Sequence, residues 1–149
     1  MEQFIVFVNN YQNFALDISK IERIIEFQKP KRIPESSDYI LGVIQYNEKI
    51  LPIIDLTKRL YNEQSSHSTE GKIIVILWRD KHIGLVVDDI LGIHNLNEEQ
   101  YEKSNNDSQI SKKYIRGFIK TEKDITIVLD TDEIFNLEQE QELLQAATR

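Results

Sequence analysis

Three histidines and a scatter of carboxylates are the side chains in this chain best suited to moving protons or holding a metal, and their placement argues against both uses. His67, His82 and His94 have no metal-ligand spacing, and no cysteine is available to join them. The absence of cysteine also removes a thiolate nucleophile and any disulfide framework. His82 falls within a hairpin pattern and reads as a surface strand residue. Only five glycines are present, and none forms a GxGxxG or GxxxxGK phosphate loop. No serine sits in a nucleophile elbow.

The carboxylates read as structural. Asp88 and Asp89 are adjacent at the end of a predicted strand, so their side chains leave opposite faces and make poor acid–base partners. Asp130 and Asp132 can share a face, but Asp-Thr-Asp suits a strand end that runs into a helical N-terminus, where a carboxylate satisfies orphan amides. Asp55, ahead of Thr57-Lys58-Arg59-Leu60, suits the same job.

The elements around these residues are short Ile-, Val- and Phe-rich segments bounded by polar turns, which is the strand pattern. Strands are expected over Phe4–Val8 and Phe14–Ile18. Ser19 and Glu22 suggest a capping box for a helical turn, followed by an extended Arg23–Phe27. Pro30 and Pro34 then interrupt any ladder. Three hairpins follow: Gly42–Gln45 with Ile50–Leu56, Lys72–Trp78 with His82–Val87, and Ile115–Lys120 with Ile125–Asp130. Pro52 implies a free edge or a bulge in its strand. Asn62–Gly71 is a polar link, Ser104–Ser111 a polar loop, and Glu138–Ala147 a terminal helix that docks Leu143, Leu144 and Ala147.

With 40% hydrophobic residues the chain can bury a core of ordinary size. A net charge of −7 repels nucleic-acid phosphates and anionic lipid, so neither is an expected partner. The densest basic group, Lys29, Lys31 and Arg32, is flanked by Glu26 and Glu35 and reads as a solvated loop. The N-terminus lacks a signal-peptide pattern, and the longest apolar run, Ile73–Trp78, is far too short to cross a membrane. A soluble, cytoplasmic protein is expected.

An internal repeat is the most informative feature. Tyr39–Asp55 recurs as Tyr114–Asp130 at one fixed offset, with six of seventeen positions identical, Asp55 falling on Asp130. Upstream, Phe4–Val8 with Phe14–Asp17 resembles Val75–Arg79 with Gly84–Asp88. Two copies of a strand-rich unit imply two small barrels, because closure removes exposed strand edges. A cap recurs in both copies of a repeat, whereas an active site need not. Without a site, function rests on apolar surfaces that bind other proteins.

Several segments, taken in order, resemble the CheW-like domain of bacterial chemotaxis. Tyr39-Ile40-Leu41-Gly42-Val43-Ile44 and Ile50-Leu51-Pro52-Ile53-Ile54-Asp55-Leu56 are similar to that family's Ile-x-Gly-Val-Ile and Pro-Val-Ile-Asp-Leu segments. Phe14–Ile18 with Ile21 and Ile24, Ile83–Asp88 with Ile90, Ile115-Arg116-Gly117 and Ile127–Asp130 are similar to others, and the Leu143-Leu144 tail suits the family's terminal helix. The likeness runs from about Gln3 to Ala147.

The resemblance implies a mainly β fold: one CheW-like domain over residues 1–149, built as two five-stranded SH3-like barrels with short helices and a C-terminal helix. The approximate subdomains are 1–66 and 67–149. It implies a non-catalytic adaptor that couples chemoreceptor tips to the regulatory domain of a CheA-type histidine kinase, in cytoplasmic receptor arrays, with no cofactor or metal. It places Ile21, Arg23, Ile24 and Ile50 on a kinase-facing surface, and Ile18, Asn47, Ile73, Gly84 and Val86 on a receptor-facing groove between the lobes. Gly84 is expected to let a partner helix approach, so that Gly84→Val would cost binding and spare folding. This chain departs from the pattern at Gln45-Tyr46-Asn47-Glu48, where Asn47 replaces an arginine, and at Arg23, where an acidic residue is common. Those departures leave open an adaptor for a non-chemotactic histidine kinase. A small enzyme or ligand-binding double barrel is the alternative from another class and requires a pocket of convergent polar groups.

Overall fold

The computed structural model describes residues 2–34, 37–61, 71–95, 97–103, 110, 112–121 and 123–134. The alternating apolar segments form strands as their pattern dictates. A hairpin of β1 (Gln3–Asn9) and β2 (Gln12–Asp17) leads through a 3₁₀ turn at Ile18–Lys20 into β3 (Ile21–Glu26). A second hairpin, β4 (Ile40–Tyr46) and β5 (Lys49–Asp55), ends in the short helix α1 (Leu56–Tyr61). Next come β6 (Lys72–Trp78), β7 (Lys81–Val87), β8 (Asp89–Asn95), β9 (Tyr101–Glu102), β10 (Ile115–Lys120) and β11 (Ile125–Leu129). Three hairpins turn on two residues that both have positive φ: Asn10-Tyr11, Asn47-Glu48 and Arg79-Asp80. Such turns match the right-handed twist of the strands they join.

The strands form two sheets, in the orders β8-β1-β2-β11-β10-β9 and β3-β6-β7-β5-β4. This is the mainly β, SH3-like architecture expected, except that the first sheet has six strands. The sheets do not divide at residue 66. The five-strand sheet takes β3, β4 and β5 from before that point and β6 and β7 from after it, while β1 and β2 join β8 to β11. The crossings are parallel pairs. Phe14 and Ala15 of β2 lie beside Ile127 and Val128 of β11, and Gly84–Val86 of β7 beside Ile53–Asp55 of β5.

Both faces of most strands are buried, which is why β6 and β7 read as nearly unbroken apolar runs. One face of each sheet contributes to a shared core that brings Phe7, Phe14 and Leu16 together with Ile54, Ile74, Ile76, Trp78 and Leu85. The other face of the five-strand sheet encloses Ile44, Leu51, Ile53, Ile73, Val75 and Val86. That of the six-strand sheet encloses Phe4, Val6, Ala15, Ile119 and Val128. A buried hydrogen bond of 2.8 Å from Asn9 to the Thr57 hydroxyl ties the sheets together.

The repeat is structural. Each copy shifts register just before its glycine, between Ile40 and Gly42 and between Ile115 and Gly117. The amides of Asp55 and Asp130 donate to the carbonyls of Tyr39 and Tyr114, both at 2.8 Å. Asp55 Oδ1 then accepts from the Lys58 amide at 3.1 Å, and Asp130 Oδ1 from the Asp132 amide at 3.1 Å, so both are caps. The guanidinium of Arg59 lies over the rings of both Tyr39 and Tyr114, at 5.4 and 5.0 Å from their centroids.

Local expectations needed correction at three places. The 3₁₀ turn is capped by Asp17, whose carboxylate accepts from the Ser19 amide and hydroxyl, and Glu22 points elsewhere. Asp88 is followed directly by a further strand, β8, with Asp89 as its first residue. Pro52 lies on a strand paired on both sides, but the ladder to β7 begins only at Ile53, so its missing donor costs no bond there. The link expected at Asn62–Gly71, apart from Gly71, the loop residues 104–109 and the terminal helix at Glu138–Ala147 lie outside the described residues.

Candidate functional site

At one end of the five-strand sheet, three strands converge on a single carboxylate. The register of β3 against β6 shifts between Ile21 and Arg23, leaving Glu22 without a partner. A bulge of this kind lets successive side chains reach the same neighbour, which strict alternation forbids. Here that neighbour is Tyr46 at the end of β4. Its hydroxyl donates to Glu22 Oε2 at 2.6 Å, and the Arg23 guanidinium lies 5.9 Å from its ring centroid. Nε2 of His82 on β7 stands 3.1 Å from Glu22 Oε1. Since β3 and β4 are the outer strands of their sheet, the Tyr46–Glu22 bond and the Lys31–Val43 bridge draw its two sides toward each other.

The electrostatics follow from these contacts. The hydroxyl that Tyr46 donates holds the Glu22 carboxyl below its ordinary value, with the charges of His82 and Arg23 adding to the effect. Burial pushes the Tyr46 phenol up, and the neighbouring carboxylate pushes the same way. The cluster contains an acid and an imidazole that meet each other at 3.1 Å. The structure gives its groups to one another.

The residues expected to face a kinase lie around this cluster. Arg23 is exposed, Ile50 is half-buried, and Ile21 and Ile24 are half-buried with one side packed on the shared core. The receptor-facing set fares differently. Ile73 is fully buried and Val86 is 6% exposed, both in the enclosed face of the five-strand sheet. Gly84 points the same way: a Cβ there would stand 2.7 Å from Ile53 Cδ1 and 2.8 Å from Ile73 Cγ2. Its missing side chain makes room for the protein's own core and leaves no opening for a partner helix. The expectation that Gly84→Val spares folding is therefore reversed. Ile18 is half-buried, and Asn47 is exposed in the hairpin turn at φ 48°, a conformation asparagine tolerates well.

Sequence reading missed the apolar surface on β8. Leu91 and Ile93 are 54% and 58% exposed on an outer strand of the six-strand sheet. Gly92, between them, has φ +143° and open space where a Cβ would be. The Leu-Gly-Ile pattern was the available signal, an apolar alternation with no matching place in the core. A polar hollow at the hairpin tips, lined by Tyr11, Gln12, Thr121, Lys123 and Asp124 among others, is open to solvent and lacks convergent buried groups. Among the described residues no cluster of His, Asp or Glu could hold a metal ion, and no helix is long and apolar enough to cross a membrane.

Comparison with known proteins agrees with this geometry. Residues 3–139 match the model of the CheW-like domain. The chain is 30% identical over 144 residues to the chemotaxis protein CheW of Bacillus subtilis, covering 94% of this chain and 90% of that one. It is 33% identical over 126 residues to the chemotaxis protein CheW of Thermotoga maritima, covering 83% and 80%. In three dimensions it is similar to the scaffolding protein TtCheW of Thermoanaerobacter tengcongensis, with a TM-score of 0.82, 25% identity and coverage of 91% and 88%.

Proposed function

Because the chain belongs to the CheW-like family, we propose that it is a non-catalytic adaptor coupling chemoreceptors to a CheA-type histidine kinase in chemotaxis signalling. The match of a two-lobed β fold along nearly the whole chain is the observation that carries this reading. The mechanism is positional. An adaptor that grips both receptor and kinase passes a receptor's conformational change to the kinase as coupling free energy between two interfaces. On this reading it breaks and forms no bonds itself. Its place of action is the cytoplasmic face of a receptor array.

On this reading the kinase's regulatory domain meets the surface of Ile21, Arg23, Ile24 and Ile50. The receptor tip needs exposed apolar side chains, and Ile73, Gly84 and Val86 are core residues. Ile18 and Asn47 remain accessible, and Leu91 and Ile93 on β8 supply the apolar area that the buried three cannot. The test is a titration of the intact chain with the kinase's regulatory domain, then with a soluble receptor-tip fragment. Saturable binding of both, and a ternary complex retaining both, is expected. Failure to bind either partner would overturn the proposal. Leu91→Ser with Ile93→Ser is expected to weaken receptor binding about tenfold and to leave kinase binding unchanged.

A further inference from the structure

Among the described residues four arginines lie over aromatic rings, and they differ in what their donors meet: Arg59 donates to the Ile134 carbonyl at 2.7 Å and Arg79 to the Asp132 carbonyl at 3.4 Å. Arg116 stands 5.5 Å from the centroid of Phe4, and its guanidinium is filled: Nη2 reaches the two carboxylate oxygens of Glu2 at 2.8 and 2.7 Å, with Asp17 at 3.9 Å from Nη1. Arg23 is presented in the same way on Tyr46, but among the described residues it forms no ion pair and no hydrogen bond. The acid next to it in the chain, Glu22, is already engaged by Tyr46 and His82. The ring beneath Arg23 is itself fixed by that 2.6 Å bond.

An exposed guanidinium lying over a ring, with no hydrogen bond among the described residues, is suited to a planar, two-oxygen acceptor. Ordering a long side chain in advance removes part of the entropy cost of binding. Half-buried Ile21 and Ile24 lie on the same strand as Arg23, with the Glu22 carboxylate between Ile21 and Arg23 and turned to Tyr46 and His82. Arginine in that setting is the kind of residue that carries binding energy at an interface.

We propose that Arg23 is the specificity-determining residue of the kinase-facing surface, and that it selects a partner presenting a carboxylate at the matching position. This rests on the adaptor reading above. Glu22 and Tyr46 act as positioning residues: they hold the platform and do not touch the partner's acid. The chemistry identifies the partner by charge, so a regulatory domain with a basic residue at that position is rejected by repulsion.

The experiment titrates the intact chain and its variants with the regulatory domain of a CheA-type histidine kinase at several salt concentrations. Arg23→Glu is expected to weaken binding more than about tenfold, and Arg23→Gln by about fivefold with a shallower salt dependence. Glu22→Ala, which removes the acceptor of the Tyr46 hydroxyl and so frees the ring, is expected to weaken binding about twofold to threefold. Reversing the charge of one acidic residue on the kinase domain is expected to restore the affinity of Arg23→Glu, a rescue that a merely structural role cannot produce. Thermal melts show whether Arg23→Glu folds, and Arg23→Gln keeps the test valid if it does not. If the intact chain binds and both Arg23 variants bind within twofold of it, the inference is overturned and the adaptor reading stands. If the intact chain does not bind, both fall.

Discussion

The two copies of the repeat share a framework and differ in what surrounds it. Tyr39–Asp55 and Tyr114–Asp130 share the register shift at glycine, the tyrosine carbonyl that receives the aspartate amide, and the aspartate cap. Their neighbours diverge. Gly42, at φ +145°, faces backbone, with Lys31 O only 2.2 Å from where a Cβ would stand. Gly117 faces chiefly the side chain of Tyr101. The first copy turns on Asn47-Glu48, while the second closes its loop with hydrogen bonds between Thr121 and Asp124. Backbone scaffolding is thus held constant in both halves, and individuality sits in turns, outer strands and the residues laid against them. Arg23, from outside both copies, lies against Tyr46 of the first.

The sharpest break of this pairing comes at the glycines. Gly42→Ala is expected to cost about 3–4 kcal/mol, because the new methyl meets a carbonyl and the backbone sits where L-residues are strained. Gly117→Ala, where the new methyl meets the Glu102 carbonyl at 2.8 Å and the Tyr101 ring, whose hydroxyl donates to the Arg116 carbonyl, but the backbone is not at positive φ, is expected to cost about 2–3 kcal/mol. Denaturant melts followed by Trp78 fluorescence, the indole being fully buried in the shared core, measure both. Equal losses would show that the copies are mechanically equivalent after all.

The parallel crossings offer the next contrast. Val128 meets Ala15 in one half and Ile53 meets Gly84 in the other. Gly84→Val is expected to destabilise folding by about 2–3 kcal/mol through overpacking against Ile53 and Ile73. Receptor affinity of the folded fraction is expected to be unchanged. A stable variant that loses receptor binding would return Gly84 to the surface role first expected of it.

Hairpins and caps were legible in the sequence because they are local: apolar alternation marks the strands, and Asp ahead of a short helical run marks the cap. The pairing of β2 with β11 was not, since no local pattern announces a partner from the far end of the chain. The site was harder. Strands buried on both faces give Ile73, Gly84 and Val86 the same appearance as aliphatic residues at a contact surface, so sequence could not separate core from interface. Strand β8 was missed because only a partly buried, glycine-interrupted alternation marks it. The Glu22–Tyr46–His82 cluster depends on a bulge that the sequence does not disclose.

Smaller effects sharpen the comparison further. Asp55→Ala is expected to cost about 1–2 kcal/mol, because Asp55 is buried and caps an α-helix, whereas Asp130→Ala, on a 3₁₀ turn, is expected to cost under about 1 kcal/mol. Glu48→Gly is expected to add about 0.5 kcal/mol, since glycine removes the strain at φ 64°. The Glu22 carboxyl titrates below its ordinary 4.5 in the folded protein, so its contribution is present above that value and lost as pH falls through the lowered one. Acid melts of Glu22→Gln are therefore expected to show a shallower decline below pH 4.5 than those of the intact chain.

The interleaved strand order carries a consequence for biosynthesis. Every strand of the five-strand sheet lies between Ile21 and Val87, whereas β2, made before them, finds β11 only when Leu129 has been synthesised. On the ribosome, the earliest hairpin therefore waits with one edge unmatched while a later-made lobe can already assemble. The edge of β2 that pairs with β11 stays open until that strand emerges, while β1 has β8 as an earlier partner.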